Sequence, residues 1–430
     1  MSGENIKIGL LGLGTVGRGV YRIITGNADN IRRKVGAGVE ISKMLVRDIA
    51  RHRGIDIDPA KLTTKIEDII DDPEIKIVVE VMGGIEPTLD YVSRALENGK
   101  SVVTANKDMI AVHGKQLFAL SEANNADLLF EASVAGGIPI IRPLKQCLAA
   151  NRITQIIGII NGTTNYMLTK MTEEGSDFAD VLKEAQAKGY AEADPAADIE
   201  GYDAARKLAI LASIAFNSRI VLDDVYVEGI TKVTAADIAY ASELNYIVKL
   251  LGIAKETGEG IEVRVHPTLI PRDHPLASVN DVYNAIFVTG DAVGDTMFYG
   301  RGAGEMPTAS AVTGDIMDAA RDLLRNVPGI ISCTCYENKP VKDMGTTECK
   351  YYVRLDVTDK PGVLASIAYA FGDKEVSLAS VLQKQTDGNK AEIVLVTHKV
   401  LEKNMQDALE IIKHLSSVNA VANIIRVEGD

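Results

Sequence analysis

The stretch "GYAEADPAADIEGYDAARKLAI", residues 189–210, crowds five acids ahead of one lysine. Asp203 and Lys207 stand four apart, a spacing that puts both on one face of a helix. As a solvated surface pair they would contribute roughly 0.2–0.5 kcal/mol. The surroundings point to more. "AARKLAILASIAF" is apolar almost all round after Arg206, so Lys207 is expected at a buried edge. An ammonium there needs a partner or a shifted pKa. Glu192, Asp194 and Asp198 come from the loop before the helix, and Asp198, beside the "DIEG" turn, can fold back toward the same face. Acids grouped with one lysine could bind a substrate ammonium and hold a proton donor.

A different chemistry stands at the start of the chain. "GLGTVG" sets Gly12, Gly14 and Gly17 in the G-x-G-x-x-G spacing, with Thr15 and Val16 between them. The first glycine permits the tight turn, the second lets backbone approach a pyrophosphate, and the third allows close helix packing. The turn follows an apolar run and precedes a helical pattern, the context nucleotide binding requires. Downstream, "MLVRD" offers Arg47 to a 2′-phosphate and Asp48 to ribose hydroxyls, with Arg51 and Arg53 nearby. NADP(H) is the preferred cofactor on this reading, and NAD(H) the alternative. Lys107 ends "SVVTANK" at the C-terminal end of a strand, where ligands bind in parallel sheets. "EASVAGGIPI" offers Glu131 and exposed carbonyls in a glycine-kinked loop, oxygen donors suited to a hard cation. His266 and His274 read as structural.

The elements that would position these groups alternate. "IKIGLL", "VEISKMLVRD", "DPEIKIVVEVMGG" and "GKSVVTANK" read as strands, and "PTLDYVSRALENG" as a helix between two of them. The rhythm predicts an α/β fold, opening with a doubly wound parallel sheet over residues 1–130. A long helix at about 306–331 is expected to return to it. Residues 131–305 read as a mixed α+β catalytic and dimerisation domain, 332–349 as a linker, and 350–430 as a ferredoxin-like βαββαβ module. Within that module Asp359 is expected to cap a helix that buries Val363, Ile367 and Ala370.

Composition narrows the partners. The net charge of −13 disfavours nucleic acid and anionic membrane surfaces. No apolar run approaches the roughly 18 residues of a membrane span. Cys147, Cys333, Cys335 and Cys349 show no C-x-x-C pairing, and free thiols fit a reducing cytoplasm.

Taken together, "GLGTVG", "VVTANK", "EASVAGGIPII", "GIINGTTNYML", "GYAEADPAADIEGYDAARKLAILA" and "GAGEMPTASAV" resemble homoserine dehydrogenase, and "VTDKPGVLASIA" resembles an ACT domain. The resemblance implies NAD(P)H-dependent, reversible reduction of L-aspartate 4-semialdehyde to L-homoserine, in threonine, methionine and isoleucine biosynthesis. By position, Lys207 matches the catalytic proton donor and Lys107 a second lysine near nicotinamide and substrate. Glu192 matches a substrate-binding acid; Asp198 and Asp203 match acids near the substrate amino group. Gly304 and Glu305 match a loop closing over cofactor and substrate. Glu131, Val134, Gly136 and Ile138 match a sodium site formed mostly by backbone carbonyls. With no kinase segment ahead of the glycine turn, the likeness is to the monofunctional form, with L-threonine the simplest effector and a homodimer or homotetramer the expected assembly. Two rivals remain open: an NAD(P)-dependent oxidoreductase for another aldehyde, and a non-catalytic amino-acid sensor.

Overall fold

The computed structural model describes residues 5–385 and 390–429. The chain divides into two compact units, each gathered from separate segments. Residues up to Thr154, Arg206–Leu222 and Asn284–Asn338 form the first; Gln155–Ala205, Asp223–Tyr283 and Lys339 onward form the second. The division falls inside the helix Tyr202–Ala215.

The first unit is built on six parallel strands: β1 (Ile6–Leu11), β2 (Val39–Leu45), β3 (Leu62–Thr63), β4 (Ile75–Glu80), β5 (Ser101–Thr104) and β6 (Leu128–Leu129). Their order is 3-2-1-4-5-6. Strand order therefore reverses between β1 and β4, and the crevice beyond their C-terminal ends is where such sheets take ligands. Ile77, Val78 and Val79 are fully buried, the apolar run that a strand covered on both faces requires. The helix Glu305–Arg325 packs Ala309, Val312, Ile316, Ala319 and Ala320 into the core that Val20 and Ile24 of the helix Thr15–Gly26 also enter. Gly19 makes that packing close: a Cβ there would meet Ala309 Cβ at 2.7 Å. The hairpin Tyr283–Gly290 and Gly294–Arg301 turns within "TGDAVGD", as its glycines and aspartates predict.

In the second unit the strand Ile153–Ile159 pairs antiparallel with Tyr246–Thr257, which pairs along its length with Gly260–Pro271. "YIVKLLGIAKET" is thus a strand. The helix before it, Ala235–Glu243, is started by a capping box of Thr234 and Asp237. The C-terminal module follows the βαββαβ order. Its last strand, Val418–Val427, lies antiparallel to Glu348–Thr358 and also pairs in parallel with Gly260–Pro271. The module's sheet is therefore continuous with the rest of the unit's sheet. Asp359 does not cap the helix Val363–Asp373; Gly362, at φ +90°, occupies that position without a side-chain cap. A left-handed entry leaves the aspartate too far back to reach the first amides. Val363, Ile367, Ala370 and Phe371 are the face it buries. Among the described residues, no helix is long and apolar enough to cross a membrane.

Candidate active site

The glycine turn leads from β1 into the helix Thr15–Gly26. Gly12 has φ +99°, and a Cβ there would press on the main chain of Val81 at 3.0 Å. A Cβ on Gly17 would run into the Gly12 carbonyl. At Gly14 nothing lies within 4 Å of the missing Cβ. The helix start has no side-chain cap and no acid in its first turn, so its amides and partial positive charge face the open space. This is the geometry a pyrophosphate fits. The turn opens on a cleft of about 630 Å³, within the range of ligand sites. Arg18, Arg47, Asp48, Arg51 and Arg53 line it. Arg47 and Asp48 are exposed. Arg53 is occupied in ordering the loop, donating to the Arg51 carbonyl at 2.6 Å and to the Asp48 carbonyl. Arg18 buries its Nε without a hydrogen-bond partner, an orphaned donor in the cleft wall that the spacing argument had no means to find. Gly304, at φ +127°, caps the helix Glu305–Arg325, and Glu305 pairs with Arg22 at 2.6 Å and Arg18 at 3.6 Å.

Lys107 is the first residue of the helix Lys107–Ala123, three residues beyond β5. A buried relay sets that helix start. Glu80, at the end of β4, accepts from Thr104 at 2.5 Å and from the amides of Met82 and Gly83. Thr104 Oγ1 accepts from the Asn106 amide, and Asn106 caps the helix through Met109 N. Burial raises the Glu80 pKa, against the pull of these hydrogen bonds. Lys207 is half-buried in the helix Tyr202–Ala215, beside the buried Ala205 and Leu208. The neighbours of the two lysines meet: Arg206 Nε lies 3.2 Å from Asp108 Oδ1. One ion pair therefore joins the helix that begins at Lys107 to the helix that carries Lys207.

In the second unit, Asp203 is 8% exposed and Asp198 half-buried. One amide group holds both: Asn161 Nδ2 donates to Asp198 Oδ1 at 2.7 Å and to Asp203 Oδ2 at 2.9 Å. Its Oδ1 accepts from Thr164 N and so caps the helix Gly162–Glu174. Glu192 is exposed in the loop before this pair, with its carbonyl accepting from Gln186 Nε2. Two carboxylates are thus held side by side by one amide donor.

Residues 12–131 match the homoserine dehydrogenase NAD-binding domain, residues 139–317 the homoserine dehydrogenase family and residues 351–416 the ACT domain. The chain is 46% identical over 427 residues to the homoserine dehydrogenase of Bacillus subtilis, covering 99% of each protein. It is 46% identical over 435 residues to that of Corynebacterium glutamicum. The chain belongs to the homoserine dehydrogenase family. The crystal structure of a homoserine dehydrogenase from Thiobacillus denitrificans superposes with a TM-score of 0.93 at 44% identity, covering 99% of this chain and 98% of that one. A hyperthermophilic archaeal homoserine dehydrogenase solved in complex with NADPH matches at 28% identity and a TM-score of 0.63, over 74% of this chain.

Within this homoserine dehydrogenase fold, the glycine-kinked stretch after Phe130 is packed into the interior. Glu131 begins a 3-10 turn and is 3% exposed, with Val134 and Ile138 also buried. The turn leads into Ala135 and Gly136, both in the left-handed region at φ +56° and +49°. The Glu131 carboxylate accepts from the amides of Ile140, Ile141 and Arg142 at 2.6–2.8 Å. Its side chain therefore organises the turn, and donors to a cation would be main-chain carbonyls. Behind it, Asp315 accepts from Glu131 N at 2.8 Å and pairs with Arg142 at 2.6 Å. Asn161 is the main residue that spacing missed. An Asn after an apolar strand is readable as a helix cap; its second role exists only once the acid loop folds back.

Proposed function

We propose that this chain interconverts L-aspartate 4-semialdehyde and L-homoserine, with NADP(H) preferred and NAD(H) an alternative. The observation that carries this reading is the Asn161 amide holding Asp198 and Asp203 together, a carboxylate pair suited to an amino acid's ammonium and set just before Lys207 in sequence. A bound reduced nicotinamide supplies the hydride. The glycine turn and the amides of the helix beginning at Thr15 hold the cofactor's phosphates, and Arg47 and Arg18 favour a further phosphate on the ribose. Lys207 stabilises the charge growing on the substrate oxygen and donates its proton there, with Lys107 orienting the same region. Gly304 and Glu305 border the cofactor, with the glutamate tied to the first helix through Arg22. The carbonyls of Glu131, Val134, Gly136 and Ile138 would hold a sodium ion that stiffens the turn. The C-terminal module would bind L-threonine near "DKPG", which spans the strand-to-helix turn before Val363. The active assembly is a homodimer or homotetramer.

The test is homoserine oxidation followed with NADP and with NAD separately, with and without threonine. Oxidation with both carriers, a lower KM for NADP and a threonine-dependent fall in rate are expected. Absence of oxidation with either carrier removes the substrate assignment. A threonine titration that moves neither rate nor melting temperature removes the effector.

A further inference from the structure

We propose that Arg426, in the last strand of the C-terminal module, is a positioning residue for the carboxylates that receive the substrate ammonium, acting through Glu228. The inference rests on the substrate reading of Asp198 and Asp203.

The module's strand Val418–Val427 pairs with Gly260–Pro271, with Arg426 opposite Thr268. The short strand Tyr226–Val227 lies in parallel along the same long strand, and Glu228 N donates to Val265 O at 2.8 Å. Arg426 reaches from the module to this segment. Its side chain is 7% exposed. Nε and Nη2 grip the Glu402 carboxylate at 2.9 and 2.8 Å, while Nη1 takes Glu228 Oε2 at 2.9 Å. The guanidinium also lies 4.8 Å from the Tyr226 ring centroid. Only a planar fork bridges two carboxylates this way; a lysine ammonium in its place is a single point charge. A second tie fixes the same segment, since Asn423 Nδ2 donates to the Lys232 carbonyl at 2.9 Å and to Asp237 at 2.7 Å.

From Glu228 the path to the acids is main chain against main chain. Ile230 N donates to Ile199 O at 2.8 Å. A Cβ on Gly229 would overlap the Ile199 carbonyl, so no side chain separates the two segments. Gly201, at φ +87°, would place a Cβ 3.4 Å from the Glu228 carbonyl. Gly201 N donates to Asp198 O, and Ala205 N to Gly201 O, which sets both Asp198 and the helix start that carries Asp203. Packing this close leaves little slack to absorb a shift of Glu228. The C-terminal module is thus part of what shapes the ammonium site.

The experiment uses the full-length enzyme with Arg426→Lys, Glu228→Gln and the double variant. Measured are melting temperature, kcat, and KM for homoserine and NADP separately. Each single variant is expected to raise the homoserine KM roughly three- to tenfold, the scale of such couplings, and to leave the NADP KM within about twofold. The double variant is expected to match the larger single effect, because the charge-assisted, forked tie between Arg426 and Glu228 is lost either way. An unchanged homoserine KM in a folded variant overturns the proposal. So does an equal rise in both KM values alongside a lower melting temperature, which marks a merely structural role. Glu228→Gln, nearly isosteric, carries the test if Arg426→Lys does not fold. Asp203→Asn separates the two readings: if it leaves homoserine affinity intact, the substrate assignment has failed; if it abolishes affinity while Glu228→Gln changes nothing, only the positioning role has failed.

Discussion

At Gly14 an added side chain would find nothing within 4 Å, whereas at Asp203 the carboxylate is buried against the amide of Asn161. The first region presents main-chain amides around a space kept clear of side chains. The second presents charges that must be held. A backbone site is specified locally, by three glycines within six residues. A carboxylate site is specified by whatever distant residue keeps the acids from repelling each other. The two should fail differently under mutation.

Lys207→Ala should separate binding from chemistry most sharply. Loss of a positioned proton donor is expected to lower turnover by about 10²–10⁴-fold. Cofactor affinity, read by fluorescence titration of the reduced nicotinamide, should stay within twofold, because the glycine turn is untouched. Turnover near that of the wild type would remove the role assigned to Lys207.

The glycines of the first region divide among themselves. Gly17→Ala forces a methyl into the Gly12 carbonyl and is expected to collapse cofactor binding together with stability. Gly14→Ala meets open space, so its melting temperature should hold while the cofactor KM rises about tenfold, a loss of ~1.4 kcal/mol. Equal melting temperatures for the two variants would contradict this division of labour.

In the second region, Asn161→Ala removes the donor shared by Asp198 and Asp203 and also a helix cap. Lost bonds to a buried carboxylate cost about 1–3 kcal/mol, so the homoserine KM should rise roughly five- to a hundredfold, with the NADP KM unmoved. The lost cap should lower stability by about 1 kcal/mol. Asn161→Asp keeps the cap acceptor but offers no donor. A third carboxylate against Asp198 and Asp203 should raise the KM at least as much and lower stability further despite the retained cap, and a wild-type KM in that variant would show that the amide does not hold the acids.

This contrast also explains what the sequence made legible. The parallel strands, the glycine turn and the βαββαβ module rest on short-range patterns: apolar runs, fixed glycine offsets and alternation. Asp203 and Lys207 on one helix followed from a spacing of four. Asn161, Arg18 and the Glu80–Thr104–Asn106 relay were not legible, because each takes its role from residues distant in the chain. The partners of Glu131 were hidden in the same way: three amides from residues 140–142 satisfy its carboxylate in the interior.

The smallest expected effect tests how the first unit tolerates a buried charge. Asp315 is 3% exposed, and burial, followed by the neighbouring Glu131 carboxylate, raises its pKa to about 7 despite Arg142. The unfolded carboxyl titrates near 3.9. A folded pKa above the unfolded one means that the native state holds its proton more tightly. The stability this confers is full below about pH 4 and is lost as pH rises through about 7. Asp315→Asn keeps an acceptor for Glu131 N, and Asp318, 2.9 Å from Arg142 Nε, still partners the arginine. The variant should therefore start with a roughly constant offset at low pH, then gain on the wild type by a few degrees of melting temperature between pH 4 and 7, and remain parallel to it above that. Parallel curves from pH 4 upward would mean that Asp315 is already ionised throughout, and that Arg142 outweighs burial at this position.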